Sequence, residues 1–280
     1  MSEQRVGVGA LVEAVASLAA PSKVKLRRKS LTERAGPKGP KVDVYLPDEA
    51  PSGGVLLVHG GAFVIGSRDM KPARFVAGAL AEAGFAVASC DYRTLPRGRL
   101  ASARADVERS LAWWCDQEER FGVTRQSLMG MSAGGALALL ASAAPPRPLD
   151  RVVAAFALYD LGALRGRFPA LLGRLLVGGD RAAWSAASPL ESPLGEAPLT
   201  ILHGGRDRLT PLPQAEAYAA RRRAAGLETE LVAYANAPHG FFNDATSAIA
   251  ADALRDLIAA LEPRSVQEPA SPQSLVATKG

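Results

Sequence analysis

The feature that most restricts the fold is an alternation. Short apolar runs, such as VLLV at 55–58 and VVAAFAL at 152–158, are separated by longer stretches rich in alanine and leucine. Runs with no intervening polar residue suit strands buried on both faces, and the longer stretches suit crossover helices. The expected fold class is therefore α/β, with a mostly parallel sheet covered by helices on both faces. Eight strands are expected near 24–31, 42–46, 55–59, 85–90, 127–131, 152–159, 199–203 and 229–233. Helices are expected at 72–83, 102–120, 133–143, 212–225 and 246–261, where apolar residues recur three and four apart. Residues 161–188 break the alternation and read as an excursion over the sheet edge, a cap carrying short helices. A second cap element is expected at 1–22, where Leu11, Val15 and Leu18 recur at helical spacing. With 280 residues, 48% of them hydrophobic, the chain can bury one full core. One domain is expected over 1–262, followed by a disordered tail at 263–280.

Within that frame GMSAGG, at 130–135, falls where a strand hands over to a helix. A Gly-x-Ser-x-Gly turn at such a junction is a nucleophile elbow. Gly130 and Gly134 leave room for neighbouring backbone, and Ser132 projects its hydroxyl above the sheet at a helix N-terminus. The alternative is a glycine-rich helix start with a capping serine. A serine hydroxyl needs a base to take its proton, most often histidine. The chain holds three histidines, His59, His203 and His239. Each lies at or just beyond an expected strand end, where α/β sheets assemble their sites.

Taken in order, HGGAFVIGS from His59, DYR at 91–93, the helix acid Asp106, GMSAGG, HGGRDRLTP from His203 and APHGFF around His239 resemble the α/β-hydrolase superfamily. Within it the similarity is to the hormone-sensitive-lipase-like carboxylesterases, over roughly 42–261. The resemblance implies an eight-stranded α/β-hydrolase fold with a small helical cap. It implies a Ser-His-Asp triad of Ser132, His239 and Asp207, in the family's chain order. Asp160 is the second candidate for the acid, ahead of Asp180 and Asp244. The HGGAF loop is similar to the HGGG-type loop, so the amides of Gly61 and Ala62, with that of Ala133, would form an oxyanion hole. His59 would then be structural, bonding within its own loop. The chain departs from the family pattern at Ala62, in place of a third glycine, and at Met131, in place of an acidic residue. The glutamate expected after Pro96 is also missing.

The reaction so implied is hydrolysis of a carboxylic ester of small or short-acyl type through an acyl-enzyme, and a histidine base predicts that activity falls in acid. Phe63 and Trp184, with leucines of 171–176, are candidates to line an acyl pocket; the same residues equally suit a cap core. Other readings are amide, formamide or peptide hydrolysis on the same fold, or a non-catalytic ligand receptor. No metal or organic cofactor is required, because backbone dipoles meet the developing charge. The partner expected is a small-molecule ester, with a homodimer as the oligomer to test.

Composition narrows the rest. Cys90 and Cys115 have no C-x-x-C spacing, which argues against a disulfide framework or zinc site and for a reducing cytoplasm. The net charge is +5, yet the basic runs KVKLRRK and Arg221 to Arg223 lack interleaved aromatics or a nucleic-acid module, so they read as solvated faces. Uninterrupted runs of apolar residues stay well short of the roughly 18 that a membrane span needs. The first 23 residues resemble a signal peptide, but Glu3 and Glu13 interrupt its charge and apolar pattern.

Overall fold

The computed structural model describes residues 27, 29–263 and 276–279, the last four as backbone only. The expected cap helix at 1–22, residues 24–26 and 28 of the strand expected at 24–31, and residues 264–275 and 280 of the expected tail lie outside the described residues. In chain order the first half contains β1 (Leu31–Arg34), β2 (Lys41–Tyr45), β3 (Gly53–Val58), α1 (Lys71–Glu82), β4 (Phe85–Cys90), α2 (Leu100–Cys115), α3 (Glu118–Phe121), β5 (Gln126–Met131) and α4 (Ala133–Ala141). The second half adds β6 (Arg151–Ala155), α5 (Arg167–Leu176), α6 (Arg181–Ala186), β7 (Leu199–Gly204), α7 (Leu212–Ala224), β8 (Thr229–Tyr234), α8 (Ala248–Leu261) and β9 (Val276–Lys279).

These strands form one open sheet in the order β1-β2-β4-β3-β5-β6-β7-β8-β9. β2 is antiparallel to both neighbours, and every pairing from β4 across to β9 is parallel. The eight expected strands are present, with the first displaced to Leu31–Arg34. A ninth is added inside the segment expected to be a disordered tail: β9 pairs with β8, Val276 opposite Leu231. The open edge of β8 supplies unpaired backbone groups that such a strand satisfies, a tertiary opportunity invisible in the polar composition of the tail.

Why the sheet is buried on both sides is legible in β3. Leu56 and Val58 enter the core shared with Leu111 of α2, Leu137 of α4 and Tyr218 of α7. Val55 and Leu57 point the other way, to Val76 and Leu80 of α1 and Leu257 of α8. This is the period of two that sets alternate side chains on opposite faces. Every residue of α4 is buried, as a helix apolar all round must be. The helix expected at 102–120 is interrupted after Cys115, and its remainder, α3, stops at Gly122, whose φ of 66° is a left-handed cap. The strand expected at 152–159 ends at Ala155, because Phe156 turns to φ 38°.

Between β6 and β7 the excursion carries α5 and α6. α5 buries Leu172 and Leu176 and leaves Phe168, Leu171 and Leu175 exposed. Among the described residues no helix is long and apolar enough to cross a membrane. Cys90 and Cys115 are both free and buried.

Candidate active site

Four connections at the carboxyl ends of parallel strands converge: those following β3, β5, β7 and β8. The turn after β5 is the tightest. Ser132 sits between β5 and α4 at φ 54° and ψ −119°, a conformation that costs a non-glycine residue about 1–3 kcal/mol. Its amide is held by the Ala155 carbonyl at 3.0 Å. The flanking glycines are required by close approach. A Cβ on Gly130 would lie 2.2 Å from the Gly134 carbonyl oxygen, and one on Gly134 would lie 2.2 Å from that of His59.

The Ser132 hydroxyl lies 2.9 Å from Nε2 of His239, and Nδ1 of the same ring lies 2.8 Å from Oδ2 of Asp207. These contacts fit one tautomer, in which the hydroxyl donates to Nε2 and Nδ1–H donates to the carboxylate. The expected trio is thus brought into hydrogen-bond reach across 107 residues of chain. Asp207 is held by the turn that follows it. Its Oδ1 accepts from the amides of Leu209 and Thr210, each at 2.9 Å, and its Oδ2 accepts from the Thr210 hydroxyl at 2.9 Å. The carboxylate is fully buried, while the His239 side chain keeps 11% of its surface exposed. Burial pushes the Asp207 carboxyl up; the His239 ring, followed by His203 and the Thr210 amide, outweighs it, and the net displacement is downward. Phe156 lies edge-on to the His239 ring at 5.2 Å between centroids.

Thr210 and Phe156 were not singled out from the sequence. For Thr210 a signal exists, since an Asp three residues before a Thr is a side-chain-to-backbone turn pattern. For Phe156 there is none: its place depends on a left-handed turn in what reads as uninterrupted strand.

The loop after β3 lies beside Ser132. Gly61 has φ 123°, and a Cβ there would sit 1.9 Å from the Ile65 carbonyl oxygen. Ala62 and Phe63 both take positive φ. The amides of Gly61, Ala62 and Ala133 donate to no acceptor among the described residues, which leaves three N–H groups beside the hydroxyl available to a negative oxygen. His59 turns away from Ser132. It is fully buried, its Nδ1–H donates to the Gly60 carbonyl at 2.6 Å, and it stacks on Tyr92 at 4.3 Å.

His203 is also outside the trio. It donates through Nε2 to the Thr210 carbonyl at 2.7 Å, beneath the turn that carries Asp207. Asp160, the second candidate acid, accepts instead from the Gly162 amide and the Ser185 hydroxyl.

A cavity of about 190 Å³ opens over Ser132, walled by Val64, Ile65, Met131, Phe156, Phe168 and Leu209. The two residues expected to line it do not. Phe63 is 2% exposed and Trp184 is 3% exposed, both in the core. At Phe63 the positive φ reverses the side chain into the molecule. Trp184 fills the space left by Gly173, where a Cβ would lie 2.4 Å from the indole, and donates Nε1–H to the Gly178 carbonyl.

Burial drives the pKa of both His59 and His203 down, opposed by the Gly60 carbonyl at the first and by Asp207 and the Thr210 carbonyl at the second. Both rings are therefore neutral when folded, whereas the unfolded chain protonates them below about pH 6.5. Stability from this source is complete above that pH and is lost as pH falls, by up to about 1.4 kcal/mol per pH unit for each ring. Thermal melts should show a midpoint level above neutrality and falling from pH 6.5 toward 5 as these two rings load protons. A midpoint indifferent to pH over that window would contradict two buried neutral rings.

A family model described as the alpha/beta hydrolase fold matches residues 55–243. Among curated proteins, the chain is 32% identical over 218 residues to esterase LipC of Mycobacterium tuberculosis, covering 68% of this chain and 53% of that protein. It is 28% identical to lipase 2 of a Moraxella species, over 68% of this chain and 54% of that one. The chain thus spans about half the length of the curated relatives it matches. Among solved structures, esterase B of Lactobacillus rhamnosis superposes with a TM-score of 0.75 at 19% identity, over 90% of both chains. A Pyrobaculum calidifontis esterase does so with a TM-score of 0.70 at 24% identity, over 90% of this chain and 89% of that one. The two structures share the fold, and the family match runs from Val55 in β3 through β8, taking in the elbow and the loops that carry Ser132, Asp207 and His239: the chain belongs to the α/β-hydrolase fold family.

Proposed function

We propose that the chain hydrolyses carboxylic esters, with Ser132 as nucleophile, His239 as general base and acid, and Asp207 as the group that orients the ring. One observation carries this reading: the unbroken line of hydrogen bonds from the Ser132 hydroxyl through His239 to a buried carboxylate. Three unused amides beside it, and relatives named esterase or lipase, support it.

As Ser132 Oγ attacks the ester carbonyl, its proton passes to Nε2. Asp207 stabilises the imidazolium that forms and keeps the proton on Nδ1. The carbonyl oxygen becomes negative, and the amides of Gly61, Ala62 and Ala133 receive it. Each such donor in comparable sites is worth about 10²–10³ in kcat. The imidazolium then protonates the departing alcohol. Water, deprotonated by the same nitrogen, attacks the acyl-enzyme and releases the acid. Two buried free thiols accord with a reducing compartment such as the cytoplasm.

The cavity walls are apolar and enclose a small volume, so we assign short acyl chains. A fluorophosphonate should modify Ser132 in the full chain and nothing in Ser132→Ala, as read by peptide mass. Acetyl and butyryl esters of one phenol should outpace lauryl and palmitoyl esters in kcat/KM. Labelling without turnover of any ester, anilide or amide would leave a ligand receptor in place of an esterase.

A further inference from the structure

A further hollow lies off the site just described, between the β1–β2 hairpin, residues 66–68, residues 91–97 and α2. It encloses about 650 Å³ and is lined by seven cationic side chains and two carboxylates. Both carboxylates are already engaged. Asp91 pairs with Arg68 at 2.8 Å, and Asp106 takes Arg93 in a two-pronged contact at 2.7 and 2.9 Å. That leaves Arg34, Lys38, Lys41, Arg97 and Arg109 facing one concavity with no carboxylate partner among the described residues. Among the described residues the Arg34 side chain donates only to the Gly39 carbonyl.

We propose that this cleft binds a small polyanion carrying linked phosphate groups, a diphosphate or triphosphate, whether free or as the tail of a nucleotide. Five like charges around one hollow repel each other, and the concave wall focuses their field. A multivalent anion relieves that repulsion across the cleft, whereas a single monovalent ion neutralises one side chain. Guanidinium forks match pairs of phosphate oxygens, which suits Arg34, Arg97 and Arg109. Arg68 is pre-set by its contacts to Asp43 and Asp91, its side chain 14% exposed. The ring that lines the cleft, Tyr92, is buried and stacked on His59, so the described residues present no aromatic face there for base stacking. This disfavours single-stranded nucleic acid and places recognition in the phosphates.

The same walls back onto the loop of the Ser132 site. Arg68 donates to the Asp91 carboxylate through both its amide and its guanidinium, and the Tyr92 hydroxyl donates to the His59 carbonyl at 3.2 Å. Binding in the cleft does not depend on ester hydrolysis, and is best measured on Ser132→Ala protein so that the two readings stand or fall apart.

Isothermal titration of the full chain with tripolyphosphate at about 0.15 M salt should give saturable one-to-one binding that weakens as salt rises. Sulfate should bind at least tenfold more weakly. ATP matching tripolyphosphate assigns the site to the phosphates alone; ATP binding tighter assigns it to a nucleotide. The exposed pair Arg97→Gln and Arg109→Gln should lower affinity at least tenfold with an unchanged melting curve. Should that pair fail to fold, Lys38→Gln with Lys41→Gln serves instead. Absence of saturable binding, wild-type affinity in the folded variants, or a single-stranded oligonucleotide that outcompetes tripolyphosphate each overturns the proposal.

Discussion

Replacing Ser132 by alanine is expected to lower kcat/KM on a short-acyl ester by about 10⁴–10⁶, with the fold intact. The loss is large because the serine is one end of a unit. Without Oγ the His239–Asp207 pair has no proton to accept, and no acyl-enzyme can form. The residue left behind adopts the same φ of 54°, and alanine is no more strained there than serine, so the melting temperature should move by no more than a degree or two. Some acceleration over water should survive, since the three free amides and the apolar cavity still bind and polarise an ester. Steady-state kinetics beside a thermal melt test both halves. A variant that kept a tenth of the activity would remove Ser132 from the chemistry.

Gly134→Ala should lose turnover for a different reason, a single added methyl with a large structural effect. The added methyl would lie 2.2 Å from the His59 carbonyl oxygen and 2.4 Å from that of Val58. Both are backbone atoms, at the end of a central strand and the start of the loop beside Ser132, and neither can swing aside as a side-chain tip can. Either α4 lifts from the sheet or β3 shifts. The expected cost is about 3 kcal/mol, at the upper end of core overpacking, with ester turnover lost because the elbow and the amides beside it move together. Gly53→Ala in the same strand is the control. A Cβ there meets nothing nearer than 3.7 Å, so stability should hold or rise slightly through the stiffer unfolded chain. Equal melting temperatures for the two variants would show that the elbow is not close-packed.

The centre of the site was readable in the sequence, and its walls were not. Ser132, Asp207 and His239 are each marked by a local pattern: glycines around a serine, and an acid and a histidine just past apolar runs. Each of those marks is a statement about the backbone at one strand end, which short-range sterics decide. Phe63 and Trp184 illustrate the limit. Both are large, apolar and near the right loops, yet one is turned inward by two successive left-handed residues and the other lies on Gly173, a neighbour eleven residues away. The cavity is walled instead by Val64, Ile65 and Phe168, residues that look like unremarkable surface or core in a linear reading. Thr210 falls between these cases, since its turn is local but its contact with the Asp207–His239 pair is not.

What the sequence determined alone is the sheet and the identity of the three converging side chains, because hydrophobic period, chain order and steric demands on glycine act over a few residues at a time. Only the tertiary structure decided which faces of those loops look into the cavity, that a strand joins the open edge of β8, and that basic residues from four separated segments surround one hollow. Those outcomes depend on the direction of individual side chains and on pairing between distant segments. A rotation about a single backbone bond reverses the first, and packing against the whole molecule selects the second.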